Sequence, residues 1–142
     1  MLKLRYGRKG KGINKLLERW SSYKFQVITE KLFTDKWLLE ALFFRHLALE
    51  KIMKSLYVNK TGLNAPLIHD LVKLADKVGI ELNIENVEML TALNKFNIEG
   101  RYPDYRKKLR ENINKKHARE VFNKSNEFFK WTLNQLKKQK KK

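Results

Sequence analysis

Only two prolines occur in this chain, Pro66 and Pro103, and both fall between apolar stripes rather than inside them. Proline removes a backbone donor and its ring clashes with the preceding turn, so helices end where it stands. The long proline-free stretches carry apolar residues at three- and four-residue spacing, not at alternate positions. That is the period of a helix face and not of a strand. There is no internal repeat. The chain is therefore expected to be all-α, an up-and-down bundle of about five helices.

The helices can be placed by their stripes and stop signals. A first runs from about Ile13 to Leu32, with Leu16, Leu17, Trp20, Phe25 and Ile28 on its apolar side. Phe33-Thr34-Asp35 breaks the pattern, with Thr34 or Asp35 able to cap the next helix. A second runs from about Lys36 to Tyr57. Trp37, Phe44 and Ala48 widen its stripe beyond Leu38, Leu42, Leu49, Ile52 and Leu56, as in a central helix. Asn59 to Pro66 reads as a loop. A third, short helix covers His69 to Lys77 and stops at Gly79. A fourth begins near Ile84 and carries Val87, Leu90, Leu93 and Phe96 to a corner at Gly100. A fifth opens on Pro103, a residue suited to a first helical turn, and reaches Gln139. Its stripe includes Tyr105, Leu109, Ile113, His117, Val121, Phe122 and Phe129.

At 142 residues the chain has the length of one domain with one core. It lacks cysteine, which removes disulfides and thiolate metal sites. No zinc spacing, paired-carboxylate metal site or glycine-rich phosphate loop occurs, so neither a metal nor a cofactor is expected. No stretch has the length of a membrane span, and no apolar leader follows the basic start. These features fit a soluble, cytoplasmic protein. The formal net charge is +17, from 32 Lys and Arg against 15 Asp and Glu. A field of that size attracts RNA or another polyanion in a salt-sensitive way. Residues 1–12 read as a basic flexible arm, 13–136 as the helical domain and 137–142 as a lysine-rich tail.

Three groups of residues could carry function. Arg110 and His117 lie seven residues apart on the fifth helix. A continuous helix would put them on one face with backbones roughly 10 Å apart, close enough to share an anion. The imidazole could move a proton and the guanidinium could stabilise a charge-rich transition state. A histidine at the edge of the core beside a solvated arginine fits the same spacing. Arg101, Arg106 and Lys107 advance along the corner and the fifth helix with Tyr102 and Tyr105 between them. Arginine forks suit phosphates and tyrosine rings stack on bases; a plain solvated helix face is the alternative. Glu50, Lys51 and the nearby Lys54 suit a polar network within the bundle, and His69 and Asp70 a helix start.

Ala48-Leu-Glu-Lys51, His69-Asp-Leu71 and Arg101-Tyr-Pro-Asp104 together resemble the HEPN family of small helical domains. The resemblance covers about Ile13 to Phe129 and implies a HEPN-type bundle that forms homodimers. Active members carry an Arg and a His separated by a short polar spacer in the last long helix and cut RNA without a metal. Arg110-Glu-Asn-Ile-Asn-Lys-Lys-His117 is similar to that motif, with Glu111 where active members usually place Asn, Asp or His. By resemblance His117 would be the general acid or base and Arg110 would stabilise the cleaved phosphate. The resemblance also implies a metal-independent endoribonuclease acting as the toxin or effector half of a toxin–antitoxin pair with a nucleotidyltransferase partner. The alternatives are a non-catalytic RNA- or nucleotide-binding module and an adaptor subunit of a nucleotidyltransferase complex.

Overall fold

A computed structural model describes residues 23–34, 37–99 and 101–140. Among these are six helices and no strand: α1 Tyr23–Thr34, α2 Leu38–Thr61, α3 Leu71–Val78, α4 Ile84–Glu99, α5 Pro103–Asn112 and α6 Lys115–Lys140. The basic arm, the first half of the expected first helix (13–22), Asp35 and Lys36 at the expected start of the second, Gly100 and the last two lysines lie outside the described residues.

Helix α2 is the axis of the bundle and packs against α1, α3, α4 and α6. Leu42, Leu49, Ile52 and Met53 on α2 meet Leu71 and Leu74 on α3, Leu90 and Leu93 on α4, and Phe122 and Phe129 on α6. All ten are at most 2% exposed. Burying one such side chain contributes about 1.5–3 kcal/mol, so this cluster is the main source of stability. The wide stripe expected for the second helix is present, except that Trp37 and Phe44 do not join the buried set. Trp37, which precedes the first turn of α2, is exposed.

The helix ends follow local chemistry. Asp70 caps α3, its carboxylate accepting from the backbone N–H groups of Val72 at 2.9 Å and Lys73 at 3.1 Å. Gly79 closes α3 with φ 91°, a left-handed conformation that costs a glycine little. Asn83 caps α4 through the Asn86 N–H at 2.8 Å.

The expected fifth helix is two helices. Ile113 leaves helical geometry with ψ 127°, and Asn114 then starts α6, its side chain accepting from the His117 N–H at 3.1 Å. Asn side chains compete for backbone donors and favour caps over helix interiors. The apolar period running through Leu109, Ile113 and His117 concealed that break. Tyr105 and His117, expected on the buried stripe, are exposed.

Candidate functional site

The polar motif of α2 is a buried junction. Glu50, 4% exposed, accepts from Lys54 Nζ at 2.8 Å and pairs with His69 Nδ1 at 2.8 Å. Lys54 is one helical turn further along α2, on the same face as Glu50. His69 reaches in from the loop before α3. Lys51, next to Glu50 in sequence, is turned about 100° away by the helix and is not the partner. Burial alone would raise the Glu50 pKa. The hydrogen bonds from Lys54 and His69 prevail and hold it below the ordinary carboxylate value.

His46, one turn before Glu50, extends the junction toward α4. Its Nδ1 lies 3.9 Å from Glu50 Oε2, and its Nε2 is 3.2 Å from Asn94 Oδ1. Asn94 also accepts from the Leu71 N–H at 2.9 Å and donates through Nδ2 to Asp70 at 3.0 Å. Because both of those bonds fix Oδ1 as an acceptor, His46 Nε2 is the donor. Burial pushes the His46 pKa down, against the attraction of Glu50 and the Asn94 bond, and the positive charge of Arg101 lowers it further. Arg101 is itself tied to the buried Asn97, its Nη2 donating to Oδ1 at 3.2 Å. The corner and the junction are thus electrostatically one region.

A groove of about 500 Å³ runs beside this region between α3 and α4. Asp70, Lys73, Asn94, Lys95 and Ile98 are among the residues that line it. Among the described residues, no group of three or more His, Cys, Asp or Glu side chains is arranged to hold a metal ion.

The basic strip is a surface of different character. Arg101, Tyr102, Tyr105, Arg106 and Lys107 are all exposed, and no residue of α5 is buried. The Tyr102 and Tyr105 rings meet edge to face with centroids 6.1 Å apart. Arg106 also lines a small apolar cleft with Phe43, Phe44 and Phe96.

Arg110 and His117 do not share a helix. The former ends α5 and pairs with Glu40 at the start of α2. The latter sits in the first turn of α6, beyond the bend at Ile113. The face-sharing geometry expected from a continuous helix is therefore absent.

One further buried cation lay outside the expected sites. Arg45 is fully buried between the rings of Phe122 and Phe129, 5.0 and 4.8 Å from their centroids, and donates to Asn126. Desolvation lowers its pKa to about 10, against the attraction of Glu30, so it stays charged at neutral pH. Its partners stand on α6, far away in sequence, which is why its role was not legible.

No helix among the described residues is long and apolar enough to cross a membrane. A family model described as the HEPN domain matches residues 9–137. Comparisons with curated proteins and with solved structures gave no significant match.

Proposed function

The chain belongs to the HEPN domain family, and from that premise we propose that it binds RNA through the Arg101 corner and the exposed face of α5. The observation that carries this reading is a ten-residue helix with no buried residue. Core packing does not account for its composition. Between residues 101 and 110 stand Arg101, Arg106, Lys107, Lys108 and Arg110 against a single acid, Asp104. Two exposed tyrosines at its start supply stacking surfaces. Phosphates would be held by the arginines and lysines, and unpaired bases by Tyr102 and Tyr105. Binding of a single-stranded RNA, followed by anisotropy at rising salt, tests this. Affinity should fall steeply with salt and weaken in Arg101→Ala and Arg106→Ala. Unchanged affinity in the double variant would remove the reading.

A second reading is RNA cleavage by Arg110 and His117. Its support is that His117 is exposed in the first turn of α6, where backbone N–H groups favour a phosphate. It requires Arg110 to exchange Glu40 for the substrate. EDTA-resistant cleavage that vanishes in both His117→Ala and Arg110→Ala would establish it. Pairing as a toxin with a small nucleotidyltransferase and assembly as a homodimer belong to this second reading; an adaptor subunit of a nucleotidyltransferase complex is the alternative to it. Co-purification and the solution mass test them.

A further inference from the structure

The small cleft between α2, α4 and α5 combines aromatic walls with one carboxylate. Leu39, Glu40, Phe43 and Phe44 line it from the first two turns of α2, Phe96 from α4 and Arg106 from α5. Residues 39 and 43, like 40 and 44, stand one helical turn apart, which brings all four to one side of α2. The volume of about 140 Å³ is space for one planar ring system, not for a stretch of chain. Phe43, Phe44 and Phe96 are each half-buried, so their rings are walls that a ligand can reach. Glu40 is the acid of the cleft, and its side chain is 27% exposed. Its Oε1 accepts from Arg110, one turn beyond Arg106 on α5. Among the described residues Oε2 has no partner. A carboxylate only accepts hydrogen bonds, and its two oxygens offer about four lone-pair sites. Glu40 can therefore keep Arg110 and still accept from a ligand.

The occupant has to satisfy three conditions at once. Phenylalanine walls favour a flat ring that stacks on them. A carboxylate needs a donor edge, ideally two parallel donors. The exposed cations of α5 next to the cleft favour a ring with phosphates on either side. Unpaired bases of a single strand meet the first and third conditions, and their Watson–Crick edges decide the second. Adenine and cytosine set a ring-nitrogen acceptor beside their amino group, and that lone pair would face the carboxylate. Uracil has one N–H flanked by two carbonyls. Guanine alone places N1–H and the N2 amino group side by side, two donors aimed the same way. We propose that the cleft is a guanine-selective subsite of the RNA surface. An unpaired guanine stacks among Phe43, Phe44 and Phe96 and donates from N1 and N2 to Glu40, while its flanking phosphates lie along Arg106, Lys107 and Arg110. This rests on the RNA-binding reading above and adds a base preference to a surface that charge and tyrosine stacking leave indifferent to sequence.

The experiment uses the full chain and short single-stranded RNAs, uridine throughout except for a central guanine, adenine, hypoxanthine or uracil, with affinity read by anisotropy at fixed salt. The guanine RNA should bind about 10-fold more tightly than the adenine and uracil RNAs. Hypoxanthine keeps N1–H and lacks the amino group, so its RNA should fall between. In Glu40→Gln the side-chain amide sets a donor against those of guanine, and the preference should vanish. Because that substitution also releases Arg110, the readout is the ratio between RNAs within each variant and not the absolute affinity. Phe96→Leu keeps an apolar wall and loses the ring. It should weaken the guanine RNA several-fold without changing its salt slope. Equal affinity for all these RNAs overturns the subsite and leaves the RNA-binding reading standing. A guanine preference kept in full by Glu40→Gln, or a guanine affinity unmoved by Phe96→Leu, also overturns the subsite. Guanosine monophosphate that binds as tightly as the guanine RNA assigns the cleft to a free nucleotide and overturns the strand-bound proposal. A chain that binds none of the RNAs overturns the RNA-binding reading, and this subsite with it.

Discussion

In α2, 15 of 24 residues are buried, including Arg45, His46, Glu50 and Lys54; in α5, of ten residues, none is. Both helices carry many charges, and they use them in opposite ways. In α2 each buried charge has a defined partner: Glu50 for Lys54, and Asn126 with two aromatic rings for Arg45. Taking such groups out of water costs several kcal/mol per ion, so they persist only where geometry is fixed. In α5 the cations are exposed; Arg110 pairs with Glu40 at a half-exposed contact, and surface pairs of that kind stabilise little. The difference separates what holds the fold from what can meet a partner, and His69 is the residue that touches both environments.

The comparison breaks most visibly at Glu50. Glu50→Ala would leave Lys54 buried without its carboxylate, and unfolding in urea should show a loss of about 3–5 kcal/mol. A loss below about 1 kcal/mol would mean that the junction does not stabilise the bundle. The opposite outcome is expected at the Arg101 corner and on α5. Replacing Arg101, Arg106 and Lys107 together by Ala should cost about 1 kcal/mol or less in urea, chiefly from the Arg101–Asn97 bond, and lower the salt slope of RNA binding by about 2, as three phosphate contacts on a single strand are lost.

Asn114→Ala removes the cap of α6 and should cost about 1 kcal/mol by thermal or chemical unfolding. Titration of stability sharpens the contrast further. The His46 pKa is held below its ordinary 6.5 in the folded chain, so as pH falls the unfolded chain takes up that proton first. Stability from this group is therefore full above about 6.5 and is lost below it. The Glu50 pKa is also depressed, and its contribution is lost only at more acid pH. Urea midpoints on the two sides of that value, at about pH 7.5 and 5.5, should differ, and His46→Gln should reduce the difference. The smallest effect is expected for Glu40→Gln. Its pair with Arg110 is half exposed and contributes less than about 1 kcal/mol.

Much of this was legible in the residues. The stripes located α2, α3 and α4 to within a few positions, and Pro103, Gly79 and Asp70 stand at helix boundaries. The break between α5 and α6 was encoded too, in Asn114, but the continuous apolar period across Leu109 and Ile113 outweighed it. Within α2, the separation of four residues made Glu50 and Lys54 neighbours on sight. The pairing of Glu50 with His69 and of His46 with Asn94 was not legible. Those partners are 19 and 48 residues apart, and their meeting depends on how α2 lies against α3 and α4.

By itself, then, the sequence determined the helical class, the family, the strong positive charge and the exposed Arg101 corner, because period, caps and composition are local properties. Tertiary packing decided which charges are buried, that Arg110 turns to Glu40, and that His69 turns its Nδ1 to Glu50. A helix dictates neighbours along its own face. Contacts between helices depend on where their axes cross, and only the folded core fixes that.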